Sequence, residues 1–146
     1  MTQQQPVTIL MVEDDEGHAK LIERNIRRAG IHNAIRHFAD GTSAVDYIFN
    51  HGEGPLLNGP ALVLLDLNLP DMSGIDILLK LKADPKLKRT PVVVLTTTDD
   101  KVEIQRCYDA GCNVYITKPV NYESFADAIR QLGLFLSVIQ VPEGPA

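Results

Sequence analysis

The sequence contains no tryptophan, and aromatic residues make up only 5% of it. An aromatic platform on which nucleic-acid bases could stack is therefore not expected. Lys and Arg number 14 against 19 Asp and Glu, which gives a formal net charge of -5. Because contacts to nucleic-acid phosphates need clustered cations, this balance argues against nucleic acid as the main ligand.

Cysteines and long apolar runs are also scarce. The two cysteines, Cys107 and Cys112, do not make a disulfide framework or a zinc site. No run approaches the ~20 apolar residues of a membrane helix, and the N-terminus has no recognisable signal peptide. We therefore expect a cytoplasmic protein with no membrane partner.

What the sequence does contain is enough apolar material for one core. The chain has 146 residues and is 45% hydrophobic, which is typical of a single globular domain. We assign residues 1–6 to a flexible N-terminus, residues 7–137 to the domain and residues 138–146 to a C-terminal tail.

Five short segments have the composition of β-strands. Val7–Val12, Ala61–Leu65 and Pro91–Leu95 are apolar without period-2 alternation, which indicates strands buried on both faces. Asn33–Phe38 and Val114–Thr117 are weaker or shorter. Helical segments follow the strands in turn, so the pattern predicts an α/β fold, a doubly wound five-stranded parallel sheet with helices on both faces.

Turn and capping residues mark the boundaries of the helices. Gly30 and Gly111 are predicted to end the first and fourth helices, and Asp99 or Asp100 can cap the start of the fourth. Pro70 to Gly74 forms a turn before the third helix. The predicted apolar sides are Ala19, Ile22, Ile26 and Ala29 in the first helix, Ala44 and Ile48 in the second, Ile75, Leu78 and Leu79 in the third, and Phe125, Ile129, Leu132 and Leu136 in a last helix capped by Asn121.

Polar residues follow the apolar strands at the point where each strand ends. Glu13 and Asp14 follow the first, and Asp66, Thr96 and Lys118 follow the later ones. Because parallel strands bring their carboxyl ends to one edge, where such sheets bind ligands, these side chains should converge. Three close carboxylates cannot all stay ionised without a cation, and Mg2+ prefers oxygen ligands of this kind.

These residues resemble the receiver domain of two-component response regulators, a flavodoxin-like fold. The intervals agree as well, with 30 residues from Asp66 to Thr96 and 22 from Thr96 to Lys118. The resemblance extends over nearly the whole chain, from about Val7 to Leu136. The matching segments are Val12-Glu13-Asp14-Asp15, Leu65-Asp66-Leu67-Asn68-Leu69-Pro70-Asp71-Met72-Ser73-Gly74, Leu95-Thr96-Thr97 and Thr117-Lys118-Pro119.

The resemblance implies a role for each acidic residue. Asp66 corresponds to the phosphoacceptor, which takes a phosphoryl group from a sensor histidine kinase. Asp14 and Asp66 would bind Mg2+ through their carboxylates, Asn68 through its backbone carbonyl and Glu13 through water. The protein would then be a phosphorelay switch that changes a protein-interaction surface, and not an enzyme acting on a separate substrate.

The resemblance also implies roles on the last two strands. Thr96 and Lys118 would each contact a phosphoryl oxygen, and Pro119 would form a cis peptide that aims the lysine into the site. Tyr115 stands at the position of the switch aromatic in this family, and the alternative is an ordinary half-buried strand aromatic. Thr97, which replaces a smaller residue, would narrow access to the phosphoacceptor.

Two other functions start from similar residues but need groups that this chain lacks. An aspartyl-phosphate phosphohydrolase also places an Asp after a buried strand, but it needs a second Asp two residues later, where this chain has Asn68. A mononucleotide-binding domain needs a glycine-rich loop after the first strand, where Glu13 and Asp14 would instead repel phosphate.

The C-terminal end and one loop distinguish this chain from a minimal receiver. Residues 134–141 are apolar on more than one helical face, so they need a second surface to cover them. We expect either a homodimer through the last helix and tail or a tail that folds back on its own domain. Residues 51–60 form a long loop. Both features are similar to stand-alone receivers that partner bacterial phytochrome kinases.

Overall fold

The structure, a computed structural model, describes residues 7–28, 30–50, 61–97, 100–118 and 123. Within these residues, five strands alternate with helices along the chain. In chain order, the elements are β1 (Thr8–Val12), α1 (Glu16–Arg28), β2 (Ile35–Phe38), α2 (Gly41–Val45), a π-helical turn (Asp46–Asn50), β3 (Ala61–Asp66), α3 (Gly74–Ala83), β4 (Val92–Thr96), α4 (Lys101–Asp109) and β5 (Val114–Thr117).

The five strands form one sheet in the order β2-β1-β3-β4-β5, and every neighbouring pair is parallel. This order reverses direction between β1 and β3, and a parallel sheet of this type binds ligands at that point. The predicted fold class is confirmed. The central strands β1, β3 and β4 are almost wholly buried, as their continuous apolar composition predicted.

Two apolar cores lie on opposite faces of the sheet. Ile9 and Met11 of β1 pack with α1 residues such as Ile22 on one face. Leu10 and Val12 pack on the other face, where α2, α3 and α4 also contribute buried side chains. Since successive strand residues point to opposite faces, this alternation shows that the described helices cover both sides of the sheet.

Most of the predicted helix boundaries are confirmed. Asp100 caps α4 by accepting a hydrogen bond from the Val102 amide. Gly30 and Gly111 have positive φ values of 85° and 108°, a backbone conformation that glycine adopts without strain and that ends the preceding helices. Ser73, which was not predicted as a cap, accepts a hydrogen bond from the Ile75 amide at the start of α3.

The prediction for the apolar side of α3 was wrong at one residue. Leu79 is 50% exposed, whereas Ile77 and Leu81 are buried beside Ile75 and Leu78. The helix has apolar residues on more than one side, so its periodicity alone cannot select the buried face. Packing against the sheet makes the selection.

Several predictions fall outside the described residues. They concern the N-terminus 1–6, the loop 51–60, the peptide before Pro119, the last helix from Asn121 and the tail 138–146. Within the part of the chain that the structure describes, no helix is both long and apolar enough to span a bilayer.

Candidate functional site

Three carboxylates meet where β1 and β3 end. The two strands are direct neighbours, with Val12 paired to Leu65, so the residues that follow them emerge side by side. Glu13, Asp14 and Asp66 each offer a carboxylate oxygen, and these oxygens all lie within 4.8 Å of one another. The predicted convergence of the acidic residues is confirmed by this geometry.

Lys118 reaches into the same cluster from the end of β5. Its backbone amide donates to the Thr96 carbonyl at 2.7 Å, which fixes the lysine beside β4. Its Nζ atom lies 2.7 Å from Glu13 Oε1 and 3.1 Å from Asp66 Oδ2. All three side chains are at least 95% buried, so water screens these charges weakly.

The donor set fits a divalent cation. With all groups ionised, three carboxylates and one ammonium leave a formal charge of -2, which one divalent ion balances. Glu13 Oε1 is buried and accepts no well-directed hydrogen bond, although it faces the Lys118 ammonium. Asp14 is exposed, so a ligand can enter on its side of the cluster. Oxygen ligands that leave positions open are what Mg2+ and similar hard cations prefer.

Burial and charge raise the pKa of Asp66 to about 6. Loss of hydration is the largest cause, and the neighbouring Glu13 charge adds to it, while the Asn68 amide and Lys118 act in the opposite direction. For Lys118, burial acts to lower the pKa, but the adjacent Glu13 and Asp66 carboxylates outweigh it and raise the pKa. The lysine therefore remains a fixed positive charge.

The loop after Asp66 approaches the strand very closely. The Gly74 amide donates to the Leu67 carbonyl at 2.8 Å, and the Asn68 amide donates to Asp66 Oδ1 at 3.2 Å. A Cβ atom on Gly74 would lie 2.3 Å from the Asp66 carbonyl oxygen, so only glycine permits this approach. Pro70 lies at the exposed tip of the loop. The loop thus brings the Asn68 backbone to the carboxylates.

The remaining predicted site residues differ in burial. Thr96 is fully buried at the end of β4, opposite Thr117 of β5. Thr97 is exposed. Tyr115 is half-buried opposite Val94 and packs against the core that contains α2 and α3. These positions are compatible with the roles that the resemblance implied.

One residue beside the site was missed from the sequence. The His37 ring donates through Nε2 to the Glu13 backbone carbonyl at 2.7 Å, and so ties β2 to the acidic loop. None of the four histidines was assigned a role, because their spacing is not that of metal ligands. The position of His37 near the end of β2, which is paired with β1, is the feature that could have indicated this contact.

The family described as response regulator receiver domain matches residues 9–130. A probable methanogenesis regulatory protein, FilR2 of Methanothrix harundinacea, is 38% identical over 127 residues, covering 87% of this chain and 81% of FilR2. The response regulator Rcp1 of Synechocystis is 33% identical over 138 residues, covering 94% of each chain.

Solved structures give the same result. A response regulator receiver domain from Rhodospirillum rubrum is 65% identical with a TM-score of 0.77, covering 96% of this chain and all of that one. The bacteriophytochrome response regulator RtBRR is 33% identical with a TM-score of 0.81, over 94% of this chain and 84% of that one. The Mn2+-bound form of Rcp1 is 31% identical with a TM-score of 0.70, over 97% of this chain and all of that one. Sheet order, acidic cluster, lysine and these matches agree, and the chain belongs to the response regulator receiver domain family.

Proposed function

We propose that Asp66 accepts a phosphoryl group from a sensor histidine kinase in a reaction that requires a divalent cation, Mg2+ in the cell. The observation that carries this proposal is the surroundings of Asp66. It is a buried carboxylate at the end of a central strand, with a lysine ammonium at 3.1 Å and two further carboxylates beside it. The acceptor residue and the need for a cation are both part of this proposal, and each has its own test.

The transfer needs positioning and neutralisation of charge rather than acid-base chemistry. An Asp66 carboxylate oxygen attacks phosphorus, the new P–O bond forms, and the P–N bond to the kinase histidine breaks. Charge spreads over the three equatorial oxygens during this step. Lys118 is held in place by Glu13 and Asp66 and would pair with one of these oxygens. The Thr96 hydroxyl would donate to another.

The acidic residues would hold the cation. Asp14 and Asp66 would supply carboxylate oxygens, Asn68 its backbone carbonyl, and Glu13 would act through water. When bound, the cation supplies positive charge that offsets repulsion between the incoming phosphoryl group and the carboxylates. The Mn2+-bound form of Rcp1 supports a divalent site in this family.

Phosphorylation would be read at a distance from Asp66. A phosphoryl group that draws the Thr96 hydroxyl toward it changes the end of β4, and Tyr115 on the adjacent β5 is half-buried beside this strand. We expect Tyr115 to move inward and to change the surface formed by α4, β5 and the last predicted helix. The phosphoryl group would thus shift the equilibrium between two arrangements of one surface.

The primary test is intact mass after incubation with acetyl phosphate. Wild type and Asp66→Asn are compared, each with Mg2+ and with EDTA. We expect a labile addition of one phosphoryl group to wild type with Mg2+ only. Addition to Asp66→Asn would contradict the acceptor assignment, and equal addition in EDTA would contradict the role of the cation. Sustained release of phosphate from small phosphate esters would instead indicate a phosphohydrolase.

A second donor-independent test uses beryllofluoride, which mimics the acyl phosphate. We expect binding that requires both Mg2+ and the Asp66 carboxylate, detected as a shift of the Tyr115 resonances. Failure of wild type both to accept phosphate and to bind beryllofluoride would contradict the proposed function.

We further propose a phytochrome-type histidine kinase as the partner. The support is the similarity to RtBRR, described as a bacteriophytochrome response regulator, over nearly the whole chain. Transfer from a bacteriophytochrome kinase should be faster than from an unrelated histidine kinase at equal concentrations. Equal rates would contradict this partner. Action in the cytoplasm and a homodimer through the last helix and tail remain predictions.

A further inference from the structure

The start of α2 is capped by two carboxylates from different parts of the chain. Asp40, directly before the helix, accepts from the Ser43 amide at 2.7 Å. Asp71, from the loop after β3, accepts from the Gly41 amide at 2.8 Å and the Thr42 amide at 2.7 Å. The Thr42 hydroxyl also donates to Asp71. Together they accept from three of the four amides that a helix start leaves without partners.

The same loop that carries Asp71 carries the proposed metal-binding carbonyl of Asn68. An antiparallel bridge between Asn68 and Ser73 closes the loop at its base. Asp71 lies between these two residues, at the part of the loop farthest from the bridge. The base is thus held by β3, and the outer part is held by α2 through Asp71.

Side-chain packing supports the same contact. Met72 lies against Gly41, where a Cβ atom would come within 2.4 Å of Met72 Cγ. The missing side chain therefore lets the loop rest directly on the helix start. The Thr42 hydroxyl and then the Gly41 amide lower the pKa of Asp71 to about 2, so its carboxylate stays ionised throughout the physiological range.

We infer that Asp71 is a positioning residue. It attaches the loop after β3 to the start of α2 and so holds the Asn68 carbonyl in place for the cation. This inference rests on the function proposed above. Within the described part of the chain, Asp71 makes no hydrogen bond or ion pair with the carboxylate cluster or with Lys118. It acts through the loop, so its effect should appear in cation affinity as well as in stability.

The test is a Mn2+ titration of the whole chain, followed by the electron paramagnetic resonance signal of free Mn2+. Asp71→Ala should raise the apparent Kd by about tenfold, the lower end of what loss of an outer partner costs a metal site. Asp71→Asn keeps one acceptor oxygen and should fall between this variant and wild type.

Asp40→Ala is the matched control, because it removes the other cap of the same helix without touching the loop. It should lower the urea midpoint, as we also expect for Asp71→Ala, but leave the Mn2+ Kd within about twofold of wild type, because the Asp40 side chain bonds its own helix and not the loop. Each Mn2+ titration is run under conditions in which urea unfolding shows the variant to be folded.

The outcomes separate the two proposals. A wild-type chain that shows no saturable Mn2+ binding overturns the proposed function and this inference with it. Wild-type binding together with an unchanged Kd in Asp71→Ala, or an equal rise in Asp40→Ala, overturns the inference alone. If Asp71→Ala does not fold, Thr42→Val decides the question, because it removes only the hydroxyl donor to Asp71 and should raise the Kd by a smaller factor.

Discussion

Replacing Asp66 with asparagine should stabilise the cation-free protein at neutral pH while abolishing phosphorylation. The Asp66 carboxylate is buried beside Glu13, and its pKa is raised to about 6 from an ordinary value of 3.8. A folded state that holds a proton more tightly than the unfolded chain loses stability as that proton leaves. The loss therefore develops as the pH rises from about 4 to about 6 and is complete above that range.

The size of the effect follows from the pKa difference. About two pKa units correspond to at most about 3 kcal/mol of unfolding free energy. Loss of one of the two hydrogen bonds that the Asp66 carboxylate accepts, worth about 1 kcal/mol, and residual solvation on the exposed Asp14 side reduce this, and we expect about 1.5 kcal/mol. The asparagine amide has nearly the same size, so no large packing cost is added, but its one acceptor oxygen can serve either the Asn68 amide or Lys118 and not both.

Urea unfolding of wild type and Asp66→Asn, in EDTA and across pH 4 to 8, measures this difference. The two proteins should have similar stability near pH 4, where Asp66 is protonated, and the variant should be more stable above pH 7. Saturating Mg2+ should narrow the gap, since a ligand that binds the folded wild type stabilises it by mass action. A variant that is no more stable than wild type above pH 7, or a gap independent of pH, would refute the reasoning.

Three further changes test other parts of the structure. In urea unfolding, Gly74→Ala should lower the unfolding free energy by at least about 2 kcal/mol, because its Cβ atom would meet the Asp66 carbonyl oxygen. Gly17→Ala is the control, because its Cβ atom would meet only an Asp15 side-chain oxygen at 3.2 Å. Lys118→Met should abolish labelling by acetyl phosphate and raise the pKa of Asp66 further, because it removes the cation beside two carboxylates. Carboxyl NMR against pH follows the pKa, and a normal labelling rate would contradict the role of Lys118. Deleting residues 138–146 should weaken self-association in analytical ultracentrifugation, and an unchanged mass distribution would exclude the tail as a dimer arm.

Much of the fold was predictable because it depends on local composition. Continuous apolar segments such as Ala61–Leu65 predicted buried parallel strands, and alternation with helices predicted the sheet class. Because parallel strands end at one edge of the sheet, Glu13, Asp14 and Asp66 could be predicted to lie close together. Within the described residues, the buried side of α3 was assigned wrongly at Leu79, because this helix has apolar residues on more than one face.

The contacts that the sequence could not predict join residues far apart in the chain. His37 and Glu13 are separated by 24 positions, and Asp71 and Gly41 by 30. Neither pair forms a recognisable motif, because a hydrogen bond to a backbone group places almost no demand on the residue type that supplies the group. Such bonds become visible only when the strands and loops are packed.

The sequence by itself determined the order of the strands and helices and the chemical groups at the strand ends, since both depend on residue type and local pattern. The tertiary structure decided how these groups affect one another. Burial beside Glu13, and not its place in the sequence, raises the pKa of Asp66, and the contact of Asp71 with α2 depends on how two loops meet. Solvation and distances between remote residues are properties of the packed chain, and they set the chemistry of the site.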